Sequence, residues 1–422
     1  MDNNIKVGIV AAKTICFSLN GAYTADANIP SQTEHKAEII DGVIFIDGAK
    51  CGQHVTLTPA DPSSTFTLND VVIGIGFHWQ RNEKQTFEGA LMLTTQGDDK
   101  DNGKISAVNI LPIERYLVSV ISSEMAATSS IELLKAHAVT SRSWLIAQLE
   151  AKKHKLSTET FHVIDTPDEH IKWYDKDDHT HYDVCADDHC QRYQGVTRQT
   201  TKAVEEAIKA TEGLCVITPD DGSVCDARFS KCCGGITERF SACWEYRDFK
   251  YLTSIRDNDG KDGKDFCDTQ DATILRQVLN SYDQETADFY RWTVKYTQDE
   301  LSNIVKEKSG IDFGAILDLT PVERGNSDRI IRLRITGEKK TLIVGKELEI
   351  RKWLSPSHLY SSAFDVTKEQ TDGKTTFRLD GKGWGHGVGL CQIGAAVMAA
   401  QGYSYTDIVT HYFPHTIIKK IY

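Results

Sequence analysis

The stretch Gly381-Lys382-Gly383-Trp384-Gly385-His386-Gly387-Val388-Gly389-Leu390-Cys391-Gln392 decides how this chain is read. Glycine recurs at every second position five times, with Trp384 and His386 interleaved. In an extended backbone, alternate residues share a face. One face would then be bare main chain, and the other would carry Lys382, Trp384, His386 and Val388. Glycine weakens a strand, so such a run implies that something approaches the main chain closely. A ring-shaped ligand lying beside an aromatic ring and an imidazole is one reading. A Gly-rich loop around a buried His is the other. The run is not a dinucleotide fingerprint, because His386 and Val388 stand where GxGxxG needs its third glycine. Strand-like residues 375–379 lead into it, and a helix-like segment 393–400, closed by Gly402, leads out.

Working outward, residues 1–110 read as short strands. Segments 5–11, 14–19, 36–46, 54–57, 71–75 and 90–94 are β-branched or alternating, broken by Gly, Asn, Asp and Pro. Residues 97–103 read as a polar turn. The period then changes. Residues 114–122 suit a short helix, and the helical pattern from Ile131 onward is strong. Ser129 is the expected N-cap there, with Glu132 reaching back as a capping box. Leu134, Ala138, Ser141, Leu145 and Leu149 recur at helical spacing and predict a core-facing stripe. Lys152-Lys153-His154-Lys155 suits the negative end of that helix. Further on, 201–211, 272–282 and 298–309 read as helices. Residues 216–218, 227–230, 330–336 and 340–344 read as strands. The expected class is α+β. A β-rich lobe spans 1–110, a mixed core 111–240, an insertion or second lobe 241–375, and 376–422 completes the core.

Composition bounds the function. The chain has 422 residues, 40% hydrophobic and 26% charged, which is ordinary for a globular protein. A net charge of −12 disfavours a polyanion such as DNA but leaves room for an anionic sugar held by local cations. No apolar run is long enough to span a membrane. Val7 to Ala12 is too short for a signal peptide, so the chain is expected to be cytoplasmic or to have lost its leader. Eleven cysteines are many for a reduced compartment, and seven lie between Cys185 and Cys243. Such clustering allows metal in the cytosol or disulfides outside it.

Three groups of residues carry candidate chemistry. His179, Cys185, His189 and Cys190 offer two imidazoles and two thiolates, enough for a closed tetrahedral Zn²⁺ site of structural type. His181 is a spare that could replace His179. A Cys185–Cys190 disulfide in a polar loop is the competing reading. Neighbouring ligands at 189 and 190 require a turn, which Asp187-Asp188 permits. Glu124 follows the apolar segment 116–121 and precedes Met125-Ala126-Ala127. A carboxyl so flanked is expected to be partly desolvated and suited to general-acid work. Arg142, one helical face along from Lys135, could place a guanidinium near that acid or on an anionic substrate. The third group is Ser230-Lys231-Cys232-Cys233-Gly234-Gly235-Ile236-Thr237, a turn with vicinal cysteines after a strand.

Together these blocks resemble the SpoIID/LytB group of peptidoglycan-acting proteins. The first runs from Tyr116-Leu117 through Ser123-Glu124-Met125 to Leu134-Lys135-Ala136-His137-Ala138-Val139-Thr140-Ser141-Arg142, similar to "YL-x-V-V-x-SEM … LKAQAVAAR". The second is Cys190-Gln191-x-Tyr193-x-Gly195 followed by 229–237, similar to "CQ-x-Y-x-G … FHSTCGGxT". The third is 383–394, similar to "GxGHGVGMSQWGA". Lys231-Cys232 stands in place of "ST", Leu390-Cys391 in place of "MS", and Ile393 in place of the aromatic. The resemblance implies a lytic transglycosylase with Glu124 as catalytic acid and Arg142 beside it. Ser230, Lys231, Thr237, Trp384, His386 and Gln392 would contact substrate, in a cleft shared with Glu124. It implies a structural zinc on the His/Cys loop and peptidoglycan glycan strands as partner. A non-catalytic enhancer of a cell-wall amidase is the alternative. The compartment implied is the cell envelope.

Overall fold

The computed structural model describes residues 4–27, 29, 33–74, 80–96, 103–126, 129–154, 163–174, 179–187, 189–197, 200–260, 263–279, 288–371 and 373–422. The expected turn at 97–102, Lys155, Asp188 and the helical residues beyond Leu279 lie outside these. The fold is α+β. The chain forms two compact units, 1–128 with 176–212, and 129–175 with 213–422. The segment 111–240 is thus shared between both.

The first unit is built on two six-stranded sheets. One has the order Val184–Cys185, Asn4–Ala12, Lys104–Pro112, Ala90–Gln96, His54–Pro59, Tyr23–Ala25. The other runs Ala49–Gly52, Val43–Ile46, Glu34–Ile40, Thr14–Asn20, Thr65–Ile73, Arg81–Glu88. Alternation sorts the side chains: Ile5, Val7, Phe17, Ala37, Val55 and Leu57 are fully buried while their neighbours face outward. The span 36–46, expected as one strand, is a hairpin. Asp41 and Gly42 both take positive φ, at 50° and 74°, which a two-residue hairpin turn requires.

The helix Ile113–Glu124 closes this unit together with Lys202–Ala210. A column of rings anchors it. Phe66 stacks on Phe87 at 5.3 Å, Phe87 on Tyr193 at 5.9 Å, and Tyr193 on Tyr116 at 5.2 Å. The column carries the sheet's core into the helix that ends at Glu124.

The second unit is centred on the helix Ile131–His154. The structure differs here from the single stripe expected. Every residue from Ala136 to Ile146 is buried, so the helix is enclosed on all sides. Two of its small polar side chains bond its own backbone: Thr140 Oγ1 donates to Ala136 O at 2.8 Å and Ser143 Oγ to Val139 O. The capping box also differs. The helix starts at Ile131, so Ser130 precedes it. Ser129 Oγ donates instead to Gln277 O at 2.7 Å, and Glu132 accepts from Tyr405 N at 2.8 Å. Around this helix pack the strand Leu214–Ile217 and the helices Gln392–Ala400 and Tyr405–Tyr412.

Besides two-stranded pairs, the described residues of this unit hold two larger sheets. One has the order Val163–Asp165, Glu169–Lys172, Thr341–Gly345, Ile330–Gly337, Ile316–Arg324, and the other Arg291–Thr297, Lys374–Lys382, Phe364–Thr371. The helix Gln298–Ser309 packs its buried Leu301 and Val305 into the core they share. Thr297 and Glu300 make a full capping box at its start, and Gly310 ends it at φ 72°.

Candidate functional site

In the first unit, Glu124 is the last residue of the helix Ile113–Glu124 and is half-buried. Its Oε1 accepts the backbone N–H of Arg192 at 2.9 Å. Arg192 lies in the loop that opens with Cys190-Gln191, and each residue type of that loop has a visible task. Tyr116 Oη donates to Gln191 Oε1 at 3.4 Å. Tyr193 joins the ring column and donates to Asn109 Oδ1 at 2.5 Å, while Asn109 Nδ2 donates to Glu88 O and Ala90 O. Gly195 has φ 60°, and a side chain there would meet Thr86 O at 2.3 Å. The loop is therefore tied to the sheet at one end and to the acid at the other. Burial, together with the charges of Cys190, Cys185 and Glu124, holds the Tyr116 hydroxyl well above the usual phenol range, so it is a donor at all working pH.

Next to the acid, the His/Cys loop brings four ligand atoms within 4.8 Å of one another: those of His179, Cys185, His189 and Cys190. Cys190 Sγ is 3.4 Å from His179 Nε2 and 3.6 Å from His189 Nδ1. Neither cysteine is in a disulfide. The turn required by neighbouring donors is present, since Cys190 N donates to Asp187 O at 3.0 Å. His181 is exposed and outside the cluster. The Cys185 thiol is held far below its ordinary range by its hydrogen bond with Cys190, then by those with His179 and His189, against the effect of burial. A thiolate among imidazoles suits a borderline-soft metal ion. Pairing of Val184–Cys185 with the first strand positions the loop. Gly8 lies opposite Cys185, where any side chain would meet the Tyr182 ring at 2.5 Å.

The other expected residues lie in the second unit. The glycine run is not the extended ribbon expected. Gly383, Gly385, Gly387 and Gly389 have φ of 75°, 85°, 74° and 73°, so the chain coils through left-handed positions. The close approach is real, but the protein itself makes it. A Cβ on Gly387 would lie 2.3 Å from Arg329 Cζ, and one on Gly389 2.1 Å from Arg228 O. Arg329 is fully buried. Its guanidinium donates to Gly385 O at 3.0 and 3.2 Å, to Cys233 O at 3.2 Å and to Ser327 Oγ at 2.9 Å. Ser327 Oγ in turn donates to the buried Glu238 at 2.7 Å. Nothing local to the run names Arg329 as its partner; the density of glycine signalled only that a partner exists.

His386 is the satisfied histidine of the blander reading. Its Nδ1 accepts the N–H of Val388 at 3.0 Å. Burial, then Arg228 and Arg329, push its pKa well below the usual imidazole range, so the ring is neutral. Trp384 stacks on Tyr360 at 4.4 Å and contacts Phe289 at 4.8 Å. The indole face on Tyr360 is therefore taken. Lys231 Nζ donates to Val278 O. Ser230 pairs with Cys391 across a short parallel bridge and backs Gly385. Thr237 is buried and braces the 253–255 segment through Thr253 O at 3.1 Å. Gln392 reaches His137 at 3.1 Å, and His137 reaches Ser141 at 3.1 Å. Arg142 is fully buried and donates to Leu214 O at 3.2 Å, tying the central helix to its neighbouring strand.

Residues 101–217 match the family model of the stage II sporulation protein, and 238–389 match a domain of unknown function. The stage II sporulation protein D of Bacillus subtilis (strain 168) is 26% identical over 325 residues, covering 74% of this chain and 76% of that protein. That of Bacillus amyloliquefaciens is 24% identical over 323 residues, with the same coverage of 74% and 76%. The amidase enhancer of Bacillus subtilis (strain 168) is 26% identical over 330 residues, covering 72% of this chain and 40% of that protein. No helix among the described residues is long and apolar enough to cross a membrane. The sporulation-protein match takes in the acid helix and the His/Cys loop, and the two stage II sporulation D proteins are similar over most of both chains, which supports a relationship to the SpoIID/LytB family.

Proposed function

We propose that the protein is a lytic transglycosylase that cleaves the MurNAc–GlcNAc bond of peptidoglycan glycan strands, with Glu124 as its single acid and base. The observation that supports this most is the setting of that carboxyl. It is half-buried, anchored by one backbone N–H, and next to a loop tied rigidly to the sheet. Such anchoring holds a proton donor in one orientation.

In this reading Glu124 starts protonated. It gives its proton to the glycosidic oxygen as the C1–O bond breaks. The resulting carboxylate takes the proton of the same sugar's 6-hydroxyl as that oxygen bonds to C1. The product is a 1,6-anhydro end, the acid is regenerated and no water is consumed. A glycoside hydrolase needs a second carboxylate, which an internal hydroxyl nucleophile makes unnecessary. Arg142 would act through position, holding the strand Leu214–Ile217 rather than touching a sugar. Zn²⁺ on His179, Cys185, His189 and Cys190 would use four protein ligands, so its role would be to brace the loop beside the acid.

The 26% identity to an amidase enhancer favours one other reading, a glycan-binding protein that stimulates an amidase without cutting. Incubation of denuded and intact peptidoglycan with the wild type and with Glu124→Gln, followed by mass spectrometry of muropeptides, separates the two. Anhydro products from the wild type and none from the variant are expected. Full cleavage by the variant refutes the role of Glu124, and no cleavage by either favours the enhancer.

A further inference from the structure

A second cluster of metal-binding side chains lies far along the sequence from the His/Cys loop. Ligand atoms of Cys233, Asp257, Cys267 and Cys391 all fall within 4.8 Å of one another, and all four residues are buried. We propose that these four bind a thiophilic divalent ion of the zinc class and so staple the glycine run to the 257–267 segment. This does not rest on the transglycosylase reading.

The geometry favours a metal over a disulfide. Cys233 Sγ and Cys267 Sγ are 3.6 Å apart and both free. Tetrahedral Zn–S bonds of about 2.3 Å put two sulfurs about 3.8 Å apart, close to what is seen. A disulfide would join two of these sulfurs and leave Cys391 beside a buried carboxylate with no counter-charge. Cys391 Sγ is arranged to carry charge. It accepts the N–H of Cys233 at 3.3 Å and that of Gly394 at 3.5 Å, where it caps the helix Gln392–Ala400. Asp257 is oriented in the same way. Its Oδ2 accepts Cys267 N–H at 2.9 Å and its Oδ1 accepts Tyr412 Oη–H at 2.5 Å. These bonds resemble the outer-shell contacts that aim a ligating carboxylate. Space for it is reserved by Gly394, where a Cβ would lie 2.6 Å from Asp257 Oδ1. In their ionised forms these four buried groups would carry clustered negative charge, part of which one divalent ion would offset. Cys232, also buried, adjoins the cluster without completing it. Full burial means the ion enters while the chain folds, so affinity for it adds to stability.

The test uses the full chain, expressed with zinc and purified without chelator, with bound zinc per chain read by elemental mass spectrometry. The double variant Cys267→Ser/Cys391→Ser is expected to hold one equivalent less than the wild type while keeping its far-UV circular dichroism. An unchanged stoichiometry overturns the proposal. Should that variant not fold, Cys185→Ser/Cys190→Ser is read in its place. It retains about one equivalent if the site exists and none if it does not. Recovery of a Cys233–Cys267 disulfide by peptide mapping of wild type alkylated before digestion also overturns it.

Discussion

Replacing Gly387 by alanine tests whether the glycine run exists to admit Arg329. Two terms contribute. Alanine at φ 74° costs about 1–2 kcal/mol through its Cβ alone. The new methyl would also sit 2.3 Å from Arg329 Cζ and 2.5 Å from its Nη1, so the guanidinium must move. It is fully buried and holds Gly385 O, Cys233 O and Ser327 Oγ. Each broken bond to a charged donor costs about 1.5–3 kcal/mol, so losing one or two adds about 1.5–6 kcal/mol. Gly385→Ala is the internal control. Its φ of 85° carries the same backbone cost, but the nearest atom to its Cβ is Ser230 Cβ at 3.3 Å. Urea unfolding followed by tryptophan emission should place Gly387→Ala at least about 1.5 kcal/mol below Gly385→Ala, given equal denaturant slopes. Agreement of the two variants within about 0.5 kcal/mol would refute the claim that the run is shaped by Arg329.

Other expectations concern the two cores. The His137 ring is fully buried, and burial, with Lys231 adding to it, lowers its pKa to about 3. The folded form holds it neutral, so the unfolded chain binds the extra proton. Its contribution is intact above pH 6.5 and is lost as pH falls from there toward 3. At most about 1.4 kcal/mol disappears per pH unit. Between pH 6.5 and 4.5, His137→Gln should therefore lose about 2 kcal/mol less than the wild type in urea midpoints; parallel losses would show that the ring does not titrate this way. Tyr193→Phe keeps the ring column but strips Asn109 Oδ1 of its donor, a loss of about 1–3 kcal/mol. Tyr193→Ala removes the ring as well and should cost about 3–5 kcal/mol. Equal effects of the two in the same unfolding assay would mean that the stack contributes nothing.

Much of the candidate site was legible because its signals are local. The four donors of the His/Cys loop lie within twelve residues, so short-range chain geometry alone could bring them together. Glu124 could be singled out because an apolar helix leads straight into it. The helix Gln298–Ser309 was readable to the residue, since its capping box and its terminal glycine adjoin it. The face of the central helix was misjudged for a related reason. Small polar residues such as Thr140 and Ser143 look solvent-facing in a pattern, yet they bond their own backbone and can be buried.

The sequence by itself thus determined the α+β character, the gathering of four His and Cys side chains in the 179–190 loop and the fact that the main chain of 381–389 must be approached closely. Tertiary structure decided what approaches it. The alternation of glycine says that there is no room for a Cβ, but steric exclusion carries no name for the excluding atom. Arg329 was chosen by the packing of the Ile330–Gly337 strand, more than fifty residues upstream. The same holds for Cys391, whose sulfur meets the N–H of Cys233 across 158 residues of chain. Such pairings depend on how sheets and helices close on one another, and no spacing along the chain records that.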